Sequence, residues 1–426
     1  MSSVARTMPA ARAGTASIDR DRLNRQIAAA AACLGVALLG LRQDVVNGVS
    51  VGLLFCLLAA PLWTRTLREY RGARILLAAG LATVAGGIVL MNVGSAGHRY
   101  SPANAVADIG YVATIVVGAA FVLWARRVVP VGAILIAFGT GLLLSVNTHY
   151  ALFPSNPWKF GFSVPMTVIA LGIVQLRPNR AVVLATVLFF SALLVVSDAR
   201  SGLAILAIVA ILLVYQARPW ARPGRGSAAT FVILGVGLAI AVYRLVEFLI
   251  LQGLFGEETR ARTLAQLASA GSLLLGGRPE LGASAALFLD HPVGYGPGVK
   301  PTIGDLHIAQ AGMAHLGYNP DNGYVYHYMF GVTIELHSTA ADLWARFGLV
   351  GLAFAALLAF VLIRGMAVGV VSGTVAAGML YLAVQSLWNL AFSPVGGSYI
   401  VLAVALGLAV PLARRRKPPL PKEIPE

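Results

Sequence analysis

The sequence predicts an all-α, polytopic membrane bundle of about twelve spans with one long external segment. Three observations lead there. The 426 residues have a mean hydropathy of +0.79, with 58% hydrophobic and only 12% charged residues. A soluble domain carries about a quarter charged residues, so this chain lacks the polar side chains to cover a water-facing surface. The apolar residues fall in runs of helical length, and the basic residues fall between them. One stretch, 251–342, breaks this rhythm and is polar, glycine-rich and proline-rich.

The spans follow in order. A basic tail, 1–26, holds Arg6, Arg12, Arg20, Arg22 and Arg25 and predicts an N-terminus on the inner side. A cleaved signal peptide is the weaker alternative, since the same arginines suffice to hold the tail inside. The first nine spans, within 27–250, are placed at 27–41, 45–63, 74–92, 104–124, 128–146, 162–176, 180–196, 201–217 and 229–250. Three more follow the long segment, within 343–413, at 343–363, 368–389 and 397–413. Those at 27–41 and 162–176 fall short of the roughly 20 residues a helix needs to cross hydrocarbon. The final tail, 414–426, is basic and proline-rich and suits an inner surface of anionic lipid.

Charge fixes the orientation. With the N-terminus inside, the inner segments hold 22 of the 32 basic residues, namely the five above with Arg65, Arg68, Arg71, Arg74, Arg126, Arg127, Arg177, Arg180, Arg218, Arg222, Arg225, Arg364, Arg414, Arg415, Arg416, Lys417 and Lys422. The short outer loops hold only Arg42, Arg99, Lys159 and Arg200. Removing one span would invert everything after it and destroy this positive-inside alternation. The formal charge of +15 therefore marks orientation, not nucleic-acid binding. Cys33 and Cys56 both lie in apolar spans and carry no disulfide or metal signal.

The segment 251–342 thus lies outside. It is far longer than an ordinary connection, which points to function. It holds His291, His307, His315, His327 and His337, five of the seven histidines. Residues 281–289 read as a short amphipathic or partly buried helix, followed by a turn with Gly294, Tyr295, Gly296 and Gly298. Such a turn can present backbone N–H groups to an anion, although glycine serves loops in many ways. Arg278 precedes it; by itself it would be an ordinary solvated arginine. Arg200 sits in the turn Ser197-Asp198-Ala199-Arg200 between two spans, either as a functional charge or as a boundary arginine paired with Asp198. His337 closes the segment, either as a helix-capping histidine or as a general base. Tyr318, Tyr324, Tyr326 and Tyr328 suit sugar stacking and an interfacial belt equally. His307, His315 and His327 with Asp305 and Asp321 match no compact metal-ligand spacing, and Asp19-Arg20-Asp21 lies on the wrong side, so no metal or other cofactor is expected.

The order of these residues resembles the O-antigen ligase family. The signature H-[NSQ]-x9-G-x-x-G is matched by His337-Ser338, nine residues, then Gly348 and Gly351. Arg200 matches an arginine between spans seven and eight, and Arg278 an arginine in the long loop. The match covers about 180–365; spans 27–176 agree only in hydropathy. Asp198-Ala199 separates Ser197 from Arg200, where members of the family more often show Ser-Arg. The resemblance implies a glycosyltransferase of the cytoplasmic membrane with its site on the outer face. Its donor would be a glycan on undecaprenyl diphosphate and its acceptor a glycan or lipid-glycan hydroxyl. In that reading Arg200 and Arg278 bind the diphosphate and His337 is the base of an inverting, metal-independent transfer. Gly294, Tyr295, Gly296, Gly298 and Tyr324 line the substrate. A polysaccharide polymerase of the same superfamily is the first alternative. A transporter or flippase of lipid-linked glycans is the second, and predicts charges within spans; the charges noted there are Asp108, Arg244, Glu247 and Asp342, all near span ends.

Overall fold

The computed structural model describes residues 13–93, 97–217, 228–319 and 322–413. Expectations for Arg6, Arg12, Arg218, Arg222, Arg225, Asp321 and the tail 414–426 lie outside them. Helices α1 Ala13–Gly40, α2 Val51–Leu58, α3 Ala60–Thr66, α4 Ala73–Val93, α5 Pro102–Val128, α6 Val131–Leu144, α7 Ser163–Leu176, α8 Arg180–Val196, α9 Arg200–Gln216 and α10 Ala228–Leu251 come first. Then follow α11 Glu257–Ala270, α12 Leu273–Gly276, α13 Glu280–Asp290 and α14 Ile303–Ala314. The last three are α15 Thr339–Ser372, α16 Ala377–Phe392 and α17 Val395–Ala409. The protein is an all-α bundle whose strands, among the described residues, are confined to one small hairpin, Asp44–Val46 with Val49–Ser50.

Among the described residues, five helices are long and apolar enough to cross a membrane, and six if the pair α2 and α3, bent by 69°, counts as one span. Helices α6, α8, α9 and α17 are apolar but shorter. Large apolar side chains face outward on several of these, including Ile75 and Leu81 on α4, Leu188 and Phe189 on α8, and Phe360 on α15. Exposed to water, such a surface would favour aggregation; against lipid it needs no cover.

The core is built on α5 and α17. From Thr114 to Ala125 every residue of α5 is buried, as is every residue of α17 from Ser398 to Ala409. Small residues let backbones approach: a Cβ on Gly141 of α6 would lie 2.0 Å from the Ala37 carbonyl oxygen of α1. Arg126, on the last turn of α5, donates from Nη1 to the Gly407 and Val410 carbonyls, both at 2.9 Å. A cation thus meets the negative end of α17.

Three expectations need correction. The first span begins early: α1 starts at Ala13, so 13–26 is helix and not tail. The second, 45–63, is interrupted, because Asp44–Ser50 forms the hairpin and Ser50 caps α2 by accepting from the Leu53 N–H. The span predicted at 343–363 starts at Thr339 and runs to Ser372, which takes in the first residues of the stretch predicted at 368–389.

Of the two motif glycines, Gly348 breaks α15 and Gly351 lies in the helical stretch beyond the break. Gly348 has φ 65° and ψ −156° inside α15. A Cβ there would lie 2.6 Å from the Val293 carbonyl oxygen, and one on Gly294 would lie 2.6 Å from the Trp344 carbonyl oxygen. The kink in α15 and the Gly294 turn therefore fit together only without side chains. Gly348→Ala is expected to cost about 1–3 kcal/mol through the left-handed backbone and this contact. Thermal unfolding in detergent checks it, and a variant as stable as the parent would contradict it.

The segment 251–342 is folded. Helices α13 and α14 enclose a second core in which Leu287, Tyr295, Met313, Met329, Phe330 and Leu336 pack with Trp344 from the first turns of α15. The short helix expected over 281–289 is α13. This layer seats the segment's end against the bundle.

Candidate functional site

His337 sits in an unusual backbone conformation that its neighbours enforce. Its φ is 52°, a left-handed value that costs a non-glycine residue about 1–3 kcal/mol. Hydrogen bonds on both sides hold it. Before it, the Leu336 N–H donates to Asp342 Oδ1 at 2.7 Å, and Arg346 Nη2 donates to the Ile334 carbonyl at 3.2 Å. After it, Ser338 caps α15: its Oγ accepts from the Ala341 N–H and donates to the Leu390 carbonyl at 3.0 Å. Thr339 donates to the Ser393 carbonyl at 2.8 Å, and Asp342 Oδ2 accepts from the Val395 N–H at 2.8 Å. His337 is half-buried, and its Nδ1 is buried without a hydrogen-bond partner.

Behind this loop lies a buried ion pair. Arg346 and Asp108 are 4% and 3% exposed, with Arg346 Nη1 2.8 Å from Asp108 Oδ1. The other oxygen of Asp108 accepts from the Gly298 N–H at 2.9 Å. One charged pair thus ties α5, the Gly294–Gly298 turn, the approach to His337 and the first turns of α15. Glu335 is close to the same cluster; burial foremost, then the Asp342 carboxylate, pushes its carboxyl above the usual range, while Arg346 and His337 pull it back.

This corrects the expected role of the glycine turn. The Tyr295 and Gly296 N–H groups both donate to the Ala345 carbonyl, at 2.7 and 3.1 Å, and the Gly294 N–H to the His291 carbonyl. With Gly298 on Asp108, the donors of Gly294, Tyr295, Gly296 and Gly298 are engaged inside the protein. The anion this turn holds is the chain's own Asp108. Tyr295 is 1% exposed and stacks on His291 at 4.8 Å, so it is part of the core beneath the site.

Arg278 lies in the turn between α12 and α13. Its Nη1 donates to the Phe392 carbonyl at 3.2 Å, and its guanidinium lies 5.9 Å from the Trp388 ring centroid and 5.8 Å from that of Phe392. Leu390, Phe392 and Ser393, which receive Ser338, Arg278 and Thr339, are at the last turn of α16. The structure therefore brings Arg278 and the base of the His337 loop onto one helix end. Between them stands Tyr324, whose ring centroid is 5.9 Å from that of His337 and whose hydroxyl donates to Glu280 Oε1 at 2.7 Å. Burial and the Glu280 carboxylate push the Tyr324 hydroxyl well above its ordinary pKa, so it stays a donor near neutrality.

Arg200 opens α9. The other end of this helix is fixed by Gln216, which donates to the Val375 carbonyl at the foot of α16. Helices α9 and α16 have 17 and 16 residues and run antiparallel, which puts Arg200 at the same end of the bundle as Arg278 and His337. Around Arg200 three cations share one carboxylate. Asp198, with φ 46°, has Arg200 Nε at 3.7 Å, Arg262 Nη2 at 3.4 Å and Lys159 Nζ at 4.0 Å. Arg200 Nη1 also reaches Thr263 Oγ1 at 3.4 Å, which links it to α11. The pairing with Asp198 is present but loose, and the cluster keeps an excess of positive charge suited to an anionic group.

Sequence reasoning missed Arg346, Glu280, Lys159 and Arg262 as site components. Arg346 gave a usable signal, a charge within an apolar span. Glu280 gave none, since a first-turn glutamate is ordinary in any helix. His98, also passed over, is hydrogen-bonded through Nε2 to Asp305 Oδ2 at 3.0 Å beside Tyr295. Among the described residues no group of three or more His, Cys, Asp or Glu is placed to hold a metal ion. Compared with known proteins, the chain matches no family model, no curated protein and no solved structure.

Proposed function

We propose that this protein is a membrane glycosyltransferase of the O-antigen ligase type. It moves a glycan from undecaprenyl diphosphate to an acceptor hydroxyl at the outer face of the cytoplasmic membrane. The observation that carries the reading is the shared placement of Arg278 and the His337 loop on the end of α16, with Arg200 at the same end of the bundle. The twelve-span topology with both termini inside belongs to this reading; positive-inside charge supports it and sets that end of the bundle outside.

The chemistry follows from the groups. The acceptor oxygen attacks the anomeric carbon, and the bond from that carbon to the diphosphate oxygen breaks. The electron pair leaves on the diphosphate, where guanidinium forks of Arg200 and Arg278 offset the growing charge. The acceptor proton passes to the His337 imidazole. A polysaccharide polymerase uses the same steps with the growing chain as acceptor. Arg200→Ala and Arg278→Ala are each expected to lower transfer by about 10²–10³ while the protein remains in the membrane. Rates are measured on membranes holding equal amounts of each variant; near-parental rates for both would refute the diphosphate assignment.

The buried Asp108–Arg346 pair favours a second reading, a transporter of lipid-linked glycans, because charges within spans mark transport paths. Its hydrogen bonds to Gly298 and Ile334 tell against that reading, since they lock the pair to local backbone.

A further inference from the structure

We propose that a cavity at the opposite end of the bundle from the candidate site binds the phosphate of an acidic phospholipid, held by Arg126, with an acyl chain laid along α15. This goes beyond the transfer reaction and needs only that the chain lies in a membrane.

The cavity has a volume of about 250 Å³ and lies among the last turns of α5 and α17, the start of α6 and the connection from α15 to α16. Val375 and Ala376 line it at the foot of α16, whose 16 residues put it about 24 Å from the end that receives Arg278. Positive-inside charge sets this foot at the inner leaflet, where acidic lipids make the surface negative. Arg126 lines the cavity and is half-buried. Its Nη1 donates to the Gly407 and Val410 carbonyls, which anchors the charge at the cavity wall. A guanidinium has five N–H donors, so donors remain for a ligand. Arg127 next to it pairs with Glu69, but among the described residues no carboxylate pairs with Arg126 and none lines the cavity. A charge held inside an apolar bundle without a counter-charge gains from an anion brought to it.

The rest of the lining selects the anion. Gln175 adds a half-buried amide, and Val368, Val375 and Met379 make an apolar wall. One cation matches the single charge of a phosphodiester better than the roughly −1.5 to −2 of a phosphate monoester at neutral pH. An apolar wall suits acyl carbon and disfavours a hydrated ion. The way out of the cavity is apolar as well. Phe360, Arg364 and Val368 follow one another at intervals of four residues along α15, so they form one row on its surface. Phe360 and Val368 are exposed on that row, as lipid-facing side chains are, and Arg364 adds a second cation one turn from the cavity rim. A phosphate at Arg126 and an acyl chain along this row place both parts of one phospholipid.

The test uses the full chain, stripped of lipid in detergent, with native mass spectrometry counting bound lipid during titration with phosphatidylglycerol or phosphatidylcholine. Inorganic phosphate is offered as a competitor. The parent is expected to take up its first phosphatidylglycerol at least about tenfold more tightly than phosphatidylcholine. Arg126→Gln keeps a donor for the α17 carbonyls and loses the charge. Thr374→Trp leaves Arg126 in place and fills the exposed rim of the cavity. Each variant is expected to weaken phosphatidylglycerol binding at least about tenfold. Parental affinity in either variant would overturn the site, and Thr374→Trp decides it if Arg126→Gln does not fold. Equal affinity of the parent for phosphatidylcholine would overturn the anion. Inorganic phosphate that displaces the lipid at equal concentration would overturn the acyl chain in favour of a free phosphate. The transfer reaction, at the other end of the bundle, stands or falls apart from these results.

Discussion

On the proposed reaction, His337→Ala is expected to lower glycosyl transfer by about 10²–10⁴, the range that a positioned general base contributes. The backbone around the imidazole is restrained on both sides, by Asp342 and Arg346 before it and by Ser338 after it. The loss is expected on kcat, because a general base acts on the reacting proton and not on the bound ground state. His337→Gln keeps the size and one hydrogen-bonding group but cannot take the proton, and it fails to the same extent. The position also carries strain, with φ 52°. His337→Gly relieves that strain and loses the base, so it is the more stable and equally inactive variant. Transfer rates and thermal unfolding of the three variants check the set. An active His337→Gln protein would move the base elsewhere, and the half-buried Glu335 carboxyl nearby would be the next group to replace.

Arg346→Ala is expected to be the most damaging change to stability. It leaves Asp108 buried with a single donor, the Gly298 N–H, and removes the clamp on the Ile334 carbonyl. Breaking a buried pair by removing one partner costs about 3–5 kcal/mol, because the remaining charge has lost its compensation. Replacing both partners behaves differently. The double variant Asp108→Leu with Arg346→Met removes both charges, and stability returns close to that of the parent. Activity does not return with it, because Ile334 and the Gly298 N–H remain unheld and His337 loses its fixed approach. Unfolding in detergent and transfer rates on the same preparations separate these outcomes. A double variant with parental activity would show that the pair serves only stability.

Much of the helical framework was legible, since apolar runs and the arginines between them depend on composition alone. The helix α13 and the ends of α8 and α9 follow their sequence pattern closely. The hairpin at Asp44–Ser50 carries a sequence signal of its own, Asn47-Gly48 between valines, which reading one continuous span over 45–63 masks. The start of α15 was hidden for another reason. Asp342 and Arg346 lower the hydropathy of its first turns, and the tertiary partners that neutralise them, Asp108 and the Val395 N–H, are far away in sequence. At the candidate site the sequence could name Arg200, Arg278 and His337 through a resemblance. It could not show that Gly294–Gly298 binds Asp108, because a glycine turn facing an anion looks the same whether the anion is a ligand or a side chain. Nor could it show that Asp198, an interruption between Ser197 and Arg200, gathers Lys159, Arg200 and Arg262 around one carboxylate.

The central claim is that the sugar–diphosphate bond is broken at the end of α16. The direct measurement is mass spectrometry of the lipids in sealed proteoliposomes loaded with the polyprenyl-diphosphate glycan pool and the glycan-bearing envelope fraction of cells lacking the protein. The account predicts free undecaprenyl diphosphate, released one for one with glycan transferred and lost in the His337→Ala protein. Lipid-linked glycan that crosses between leaflets with its diphosphate bond intact would contradict it and make the protein a transporter.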